Sequence, residues 1–276
     1  KNRYKYHAFV FWSEGFSGIL YAFLVSCFRI KSPKIIIINL LIHPQETFRF
    51  FLISKITKFS LKKVDCVIVH VSGLIKDYQE RFNYKGKIFY IKESREYKDD
   101  TKVQSGDYIF SGGGSLRDWP TLIEVTRKLK NVKFIICDGS NTGILSKLPC
   151  ENNVIVKYNV SHGEFTELLA KSKFVVVPFY NYRHLGGNMI FIQSAYFGKA
   201  VVASKNMSAI DYIKDGYNGL LVSPGDEDEL EEKIALLSKD EKLLSLLSNN
   251  AKLSYKEYST ENFWSDLKQV IDKVMN

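Results

Sequence analysis

The fold of the second half of the chain can be predicted from the run Tyr108-Ile109-Phe110-Ser111-Gly112-Gly113-Gly114-Ser115-Leu116-Arg117-Asp118. This run joins an apolar strand signal to a glycine-rich turn, and Pro120 then suits the first turn of a helix. A second glycine-rich turn, His184-Leu185-Gly186-Gly187-Asn188, also precedes a predicted helix. Because such turns expose backbone N–H groups and a helix N-terminus carries partial positive charge, the pair predicts a site for phosphate oxygens.

Apolar strands and helices alternate along the chain, which predicts doubly wound parallel sheets whose ligands bind beyond the carboxyl ends of the strands. The predicted strands of the second half are Tyr108–Gly112, Lys133–Asp138, Val154–Tyr158, Phe174–Phe179, Ala200–Ser204 and Gly219–Ser223. The predicted helices between them are Pro120–Leu129, Gly163–Ala170, Met189–Phe197, a turn near Ile210–Lys214, and Glu227–Leu237. The first half has the predicted strands Ala8–Trp12, Ile35–Leu40, Cys66–Val71 and Ile88–Ile91, with helices Gly18–Phe28 and Glu46–Lys63.

These patterns predict an α/β protein with two Rossmann-like domains, residues 1–96 and residues 97–258. The polar segment Glu93–Gly106 has no apolar period and is typical of an interdomain linker. The last helix, within residues 259–276, carries one apolar stripe. We expect that stripe to pack back toward the first domain.

Basic residues are concentrated in the first third of the chain. The net charge is +9, and residues 1–98 hold 18 Lys/Arg against 7 Asp/Glu, whereas the remainder holds 21 against 23. This imbalance indicates either a lysine-rich solubilising surface or a face turned toward an anionic partner. Phe48, Phe50, Phe51 and Phe59 share an apolar helix pattern with neighbouring lysines, which favours a membrane surface over base stacking. We therefore expect no nucleic-acid partner.

Apolar runs and cysteines indicate the compartment. The longest apolar stretch, Phe16–Phe28, is shorter than the roughly 20 residues that span a bilayer, so it predicts a buried helix. The four cysteines have no paired spacing, which predicts reduced thiols, and no secretory signal is visible. We expect a cytoplasmic protein, and its basic half suggests that it can bind peripherally to the inner face of the cell membrane.

Three runs of the second domain carry a family likeness. The central run is Gly187-Asn188-Met189-Ile190-Phe191-Ile192-Gln193-Ser194-Ala195-Tyr196-Phe197-Gly198-Lys199-Ala200-Val201-Val202-Ala203-Ser204. Residues 160–169 precede it, and residues 211–222 with Pro224-Gly225-Asp226 follow it. In order and spacing these runs resemble the donor-binding domain of GT-B glycosyltransferases, the large group 1 retaining family (glycosyltransferase family four type). The resemblance covers residues 105–275 and, more faintly, the first domain.

The resemblance implies a GT-B fold, in which two Rossmann-like domains face a cleft. It also implies an enzyme that moves a sugar from a nucleotide-diphosphate donor, with a UDP-sugar as the first expectation. The implied acceptor is a membrane-associated saccharide or a lipid-linked acceptor in surface polysaccharide synthesis. Transfer would retain the anomeric configuration and need neither a metal ion nor a cofactor, because backbone dipoles and Arg117 would neutralise the leaving group. The departing phosphate would accept the acceptor's proton, so that no carboxylate base is required.

The resemblance assigns donor-binding roles by position. Backbone amides of Gly186, Gly187, Asn188 and Met189 would hold the diphosphate, and Arg117 lies where the family places a basic residue against the same phosphates. The other donor-side positions are Gly112, Gly113 and Gly114, which allow close approach, Tyr158, Asn159 and Val160, at the turn that contacts the base, and Gln193, at the ribose.

Some positions depart from the family pattern. The family's two glutamates, eight positions apart, are replaced by Leu185 and Gln193, and only the second can still hydrogen-bond a ribose diol. His43, after the strand Ile35–Leu40, lies near the position at which a histidine of the family can touch the donor sugar. The alternative is a loop histidine without a functional role. The first domain is short for the family, so we expect either a fragment or a reduced acceptor half.

Two alternative functions have different support in the sequence. A non-catalytic GT-B relative that binds a sugar nucleotide or a partner transferase fits the changes at Leu185 and Gln193. A dinucleotide-dependent oxidoreductase is disfavoured, because Gly112-Gly113-Gly114 lacks the glycine spacing of that fingerprint.

Overall fold

A computed structural model describes residues 6–12, 17–40, 48–97, 101, 103, 106–114, 116–139, 143–181, 183 and 185–276. The chain divides into two compact units. The first unit comprises Lys1–Glu93 together with Glu261–Asn276, and the second comprises Ser94–Thr260. No helix among the described residues is long and apolar enough to cross a membrane.

The first unit contains a four-stranded parallel sheet in the order β1-β2-β3-β4. Its elements are β1 (Ala8–Trp12), α1 (Ser17–Cys27), β2 (Lys34–Ile38), α2 (Phe48–Leu61), β3 (Cys66–Val69), α3 (Leu74–Phe82) and β4 (Lys87–Tyr90). Strands β2 and β3 read as continuous β-branched runs because they are buried along their length. Helix α3 was not predicted, since Leu74, Tyr78 and Phe82 are its only buried side chains and they lie among charged residues.

The C-terminal helix, Thr260–Met275, belongs to the first unit except for its first residue. Its apolar stripe packs on the sheet with side chains of β2 and β3, and the buried members of this cluster are Ile36, Ile38, Cys66, Ile68, Ile91, Phe263, Leu267, Val270 and Val274. The stripe recurs every three or four residues, which places its members on one helical face.

The second unit contains a six-stranded parallel sheet in the order β10-β9-β8-β5-β6-β7. Its elements are β5 (Tyr108–Gly113), α4 (Trp119–Lys128), β6 (Lys133–Asp138), β7 (Val154–Tyr158), α5 (His162–Ala170), β8 (Val175–Val177), α6 (Asn188–Tyr196), β9 (Val201–Ser204), α7 (Ala209–Tyr212), β10 (Gly219–Val222), α8 (Glu227–Lys239) and α9 (Glu241–Ser254), before the C-terminal helix α10 (Thr260–Met275). The predicted doubly wound sheet is confirmed. Its strand order reverses between β5 and β8, where such sheets bind ligands.

The sheet of the second unit has an apolar core on each side. Ile109 packs into one core and Phe110 into the other, as the two-residue period of a strand requires. Helix starts follow their capping residues: Asp226 Oδ1 accepts the Glu229 N–H at 2.9 Å at the start of α8. Helix α9 was not predicted; it begins because Asp240 Oδ1 accepts the Leu243 N–H at 2.9 Å and opens a new helix.

Candidate active site

The glycine-rich turn at the end of β5 lies beside β6. Gly112 and Gly113 pair with Cys137 and Asp138, the last two residues of β6. Gly113 has φ +130°, and a Cβ there would overlap the Arg117 guanidinium. At Gly112 a Cβ would lie 2.5 Å from the Phe165 ring. Two of the three predicted glycines are therefore required by close packing, one of them against the predicted phosphate-binding arginine.

Arg117 is a buried cation at this edge of the sheet. Its side chain is 7% exposed, and Nε donates to the Gly112 carbonyl at 3.0 Å. The guanidinium carbon lies 4.6 Å from the centre of the Phe179 ring, in cation–π contact. Burial lowers the pKa of Arg117 to about 10, so the group remains charged at neutral pH. An anion is the natural complement of a guanidinium held in this way.

Phe179 connects the two glycine-rich turns. Besides the Arg117 guanidinium, its ring adjoins Gly187, where a Cβ would come within 2.9 Å of Phe179 Cζ and 2.7 Å of the Phe191 ring. Gly187 has φ +103°, which an L side chain rarely adopts. The structure thus brings both Arg117 and the turn at 186–189 against one phenylalanine ring.

Helix α6 begins at this turn without a side-chain cap. Its N-cap is Gly187, which makes no side-chain capping hydrogen bond. By contrast, α4, α5, α8 and α9 of the same unit each have a capping side chain, namely Asp118, Ser161, Asp226 and Asp240. The first N–H groups of α6 have no intrahelical partner, so they can bind an anion together with the helix dipole.

Two residues that sequence reasoning missed hold this turn in place. Asn206 is fully buried; its Nδ2 donates to the Gly186 carbonyl at 3.2 Å and its Oδ1 accepts the Ala209 N–H. The Tyr97 hydroxyl donates to the Met189 carbonyl at 3.4 Å. No local motif marks either residue. Asn206 lies two residues after the end of β9, however, and polar residues at that end of a parallel strand are a signal that could have identified it.

The predicted base-binding turn follows β7. Tyr158 is 46% exposed, and Asn159 has φ +52°, in the left-handed region that asparagine tolerates. Val160 is half-buried, and Ser161 then caps α5 by accepting the Glu164 N–H at 3.1 Å. The turn is thus fixed at both ends by the strand and the cap, and its base contact stays a prediction.

Gln193 lies on α6 and faces α5. It is 4% exposed, and its Nε2 donates to Thr166 Oγ1 at 2.9 Å. This bond engages one of the groups that the predicted ribose contact would use. Leu185 is half-buried beside Gly186. His43 and His184 lie outside the described residues.

Residues 118–254 match the family model described as Glycosyl transferases group 1. The chain belongs to the group 1 glycosyltransferases. The matched range includes the turn at 186–189 and both helices that pack at Gln193, whereas Arg117 and the glycines of β5 lie just before it. The GT-B fold expected from the resemblance is confirmed as well.

Similar proteins extend this assignment. The chain is 30% identical over 131 residues to the uncharacterized glycosyltransferase MJ1178 of Methanocaldococcus jannaschii, covering 44% of this chain and 36% of that protein. It is 28% identical over 124 residues to an N,N'-diacetylbacillosaminyl-diphospho-undecaprenol alpha-1,3-N-acetylgalactosaminyltransferase of Campylobacter jejuni, covering 45% and 32%. The aligned part therefore spans about a third of the length of each of these relatives.

A solved structure supports the fold over nearly the whole chain. HepE of Anabaena, in complex with UDP and glucose, superposes on this chain with a TM-score of 0.74 at 15% identity, covering 96% of this chain and 78% of HepE. At that identity the likeness establishes the GT-B architecture alone, and it says nothing about this chain's ligands or chemistry.

Proposed function

We propose that the chain binds a nucleotide-sugar donor at the C-terminal edge of its second sheet and transfers the sugar to a membrane-associated saccharide or lipid-linked acceptor. The observation that carries the proposal is the convergence of buried Arg117 and the uncapped start of α6 on the Phe179 ring. HepE binds UDP in its solved structure, and the Campylobacter relative acts on an undecaprenol-linked diphosphate. These relatives support a UDP-sugar donor and a lipid-linked acceptor.

The proposed chemistry follows from where negative charge develops. The bond between the sugar C1 and the diphosphate oxygen breaks, the acceptor oxygen bonds to C1, and the acceptor proton passes to the departing phosphate. Charge on the leaving diphosphate is larger in the transition state than in the bound donor. Arg117 and the N–H groups at the start of α6 would therefore bind the transition state more tightly than the ground state. We include retention of configuration and independence of metal ions in this proposal.

A non-catalytic relative is the second candidate, and two positions favour it. Leu185 offers no polar group to a donor sugar, and Gln193 already donates to Thr166. Such a protein would bind the sugar nucleotide through the same Arg117 site and would not turn it over.

A two-stage experiment tests both candidates. A panel of nucleoside diphosphate sugars is first screened by thermal shift, since an occupied site raises the melting temperature. Donors that bind are then incubated with lipid-linked saccharide acceptors, and released nucleoside diphosphate and glycosylated product are measured. Binding with turnover supports the transferase, and binding without turnover on any acceptor supports the second candidate. A panel in which no nucleotide binds refutes both.

A further inference from the structure

An apolar surface covers the outward side of α1 and α2 in the first unit. Leu20, Leu24 and Phe28 recur at four-residue spacing along α1 and just beyond its end, and they are 57%, 42% and 69% exposed. The outward side chains of α2 include Leu52, Ile56 and Phe59, which are 46%, 44% and 42% exposed. We call these six residues the α1–α2 face.

The two stripes form one surface because the helices pack against each other. Phe23 of α1 and Phe59 of α2 meet edge to face, with ring centres 5.9 Å apart. The α1–α2 face exposes roughly 600 Å² of apolar surface, at the upper limit of the largest patch found on typical soluble monomers. A surface of this size is unfavourable in water and indicates a binding partner.

Lysines flank this face, and carboxylates are scarce. Between Glu14 and Asp65 the sequence has eight Lys/Arg and one acidic residue, Glu46. At the C-terminal end of α2, Lys58 and Lys62 line a cavity of about 500 Å³, which also includes Lys34, Lys85 and Lys87. Asp65 is the one acidic residue in that lining, and it already pairs with Lys34 at 3.5 Å. The cavity therefore carries a net positive charge.

We propose that the α1–α2 face docks on an anionic phospholipid bilayer. The six apolar side chains enter the boundary between headgroups and acyl chains, and lysines at the end of α2 bind lipid phosphates. Charge complementarity selects this partner, because an apolar stripe bordered by lysines with almost no acidic residue matches a surface of uniform negative charge over an apolar interior. This docking deepens the proposed function and rests on it in one respect: binding to a bilayer would bring the chain to a lipid-linked acceptor.

The test is flotation of the full chain with vesicles of phosphatidylcholine alone or of phosphatidylcholine with 30% phosphatidylglycerol. We expect binding to the anionic vesicles that weakens as salt rises from 50 to 500 mM, since added ions screen the lysines. Replacing Lys58 and Lys62 together by Gln should lower the partition coefficient about thirtyfold, from about 1 kcal/mol for each lysine at an anionic surface. The matched control replaces Lys239 and Lys242, exposed lysines of the second unit, by Gln and should leave binding unchanged.

The apolar part is tested separately. Leu20→Ser with Ile56→Ser should lower binding at least tenfold, because each loses the transfer of an apolar side chain into the bilayer. Leu246→Ser with Leu253→Ser is the control, since these side chains of α9 are 55% and 57% exposed. All four positions are exposed, and unchanged melting temperatures would show that the variants fold.

Three results would overturn the docking proposal. The wild-type chain could fail to bind anionic vesicles, or the two α1–α2 pairs could lose no more binding than their controls. Light scattering could also show a dimer that Leu20→Ser with Ile56→Ser converts to a monomer, which would assign the face to a second copy of the chain. Thermal shift with UDP on the same samples keeps this outcome separate from the donor site, since none of these substitutions lies in the second unit's turns.

Discussion

Replacing Arg117 by methionine separates the effect of this buried charge on the free energy of unfolding from its effect on nucleotide affinity. Burial lowers the pKa of Arg117 from 12.5 to about 10. At neutral pH, below both values, the folded chain therefore holds this charge at a cost of about 3 kcal/mol relative to the unfolded chain. Arg117→Met removes that cost. It also removes the bond to Gly112 and the contact with Phe179, which stabilise by about 1–3 and 0.5–2 kcal/mol.

These contributions nearly cancel, so we expect the unfolding free energy of Arg117→Met without ligand to lie within about 2 kcal/mol of wild type. Nucleotide binding should respond differently. A hydrogen bond to a charged group contributes about 1.5–3 kcal/mol, which corresponds to a ten- to hundredfold weaker affinity for UDP. Stability is measured by urea denaturation and affinity by titration calorimetry with UDP.

Arg127→Met is the matched control. Arg127 lies on α4, where its guanidinium bonds Glu124 and the Pro149 carbonyl, away from both glycine-rich turns. We expect this variant to bind UDP as wild type does. Equal UDP affinities for wild type and Arg117→Met would refute the phosphate role of the arginine. A loss of more than about 4 kcal/mol of stability would show that the arginine is needed for folding, contrary to the cancellation above.

Three further predictions concern the surroundings of the site. Gly187→Ala should lose about 2–4 kcal/mol of stability and weaken UDP binding, because φ +103° and the Phe191 ring at 2.7 Å both oppose a Cβ. The control Gly216→Ala, at φ +72° in open space, should lose only about 1–2 kcal/mol in the same urea titrations, and equal losses for the two variants would contradict this prediction. Asn206→Ala removes the hydrogen bond to the carbonyl of residue 186, so the Kd for UDP should rise about tenfold while the free energy of unfolding falls by less than about 3 kcal/mol. An unchanged Kd would show that UDP binding does not depend on this hydrogen bond. Burial raises the pKa of the Cys137 thiol from 9.0 to about 11, so between these values the folded chain keeps a proton that the unfolded chain loses. The free energy of unfolding should therefore fall between pH 9 and 11, by at most about 1.4 kcal/mol per pH unit for this thiol. Cys137→Ala should reduce that slope in denaturation curves recorded across the range, and an unaltered slope would assign it to other groups.

The sheet and most helices could be predicted from sequence because strands covered on both faces leave continuous apolar runs. Strand β8, Val175–Val177, is an example, since it lies within the predicted strand Phe174–Phe179. Helices α3 and α9 escaped prediction for physical reasons. In α3 the three buried side chains are separated by charged residues, and α9 follows α8 after one residue, so that only the Asp240 cap marks the boundary.

The glycines of the candidate site could be predicted from the sequence, whereas the side chains that fix the glycine-rich turns could not. Gly113 and Gly187 mark conformations that other residues avoid, which makes their positions visible in the sequence. Phe179 and Asn206 act through long-range contacts with Arg117, Gly187 and the turn before α6, and no local pattern encodes such contacts. The same holds for Gln193, whose bond to Thr166 depends on how α5 and α6 pack.

A crystal structure of the chain with UDP bound is the most direct measurement of the central claim. We expect the diphosphate within hydrogen-bonding distance of the Arg117 guanidinium and of backbone N–H groups among residues 186–189, beside the Phe179 ring that both segments contact. UDP bound elsewhere on the second unit, with Arg117 still covered by the glycine turn and no phosphate at the start of α6, would contradict it.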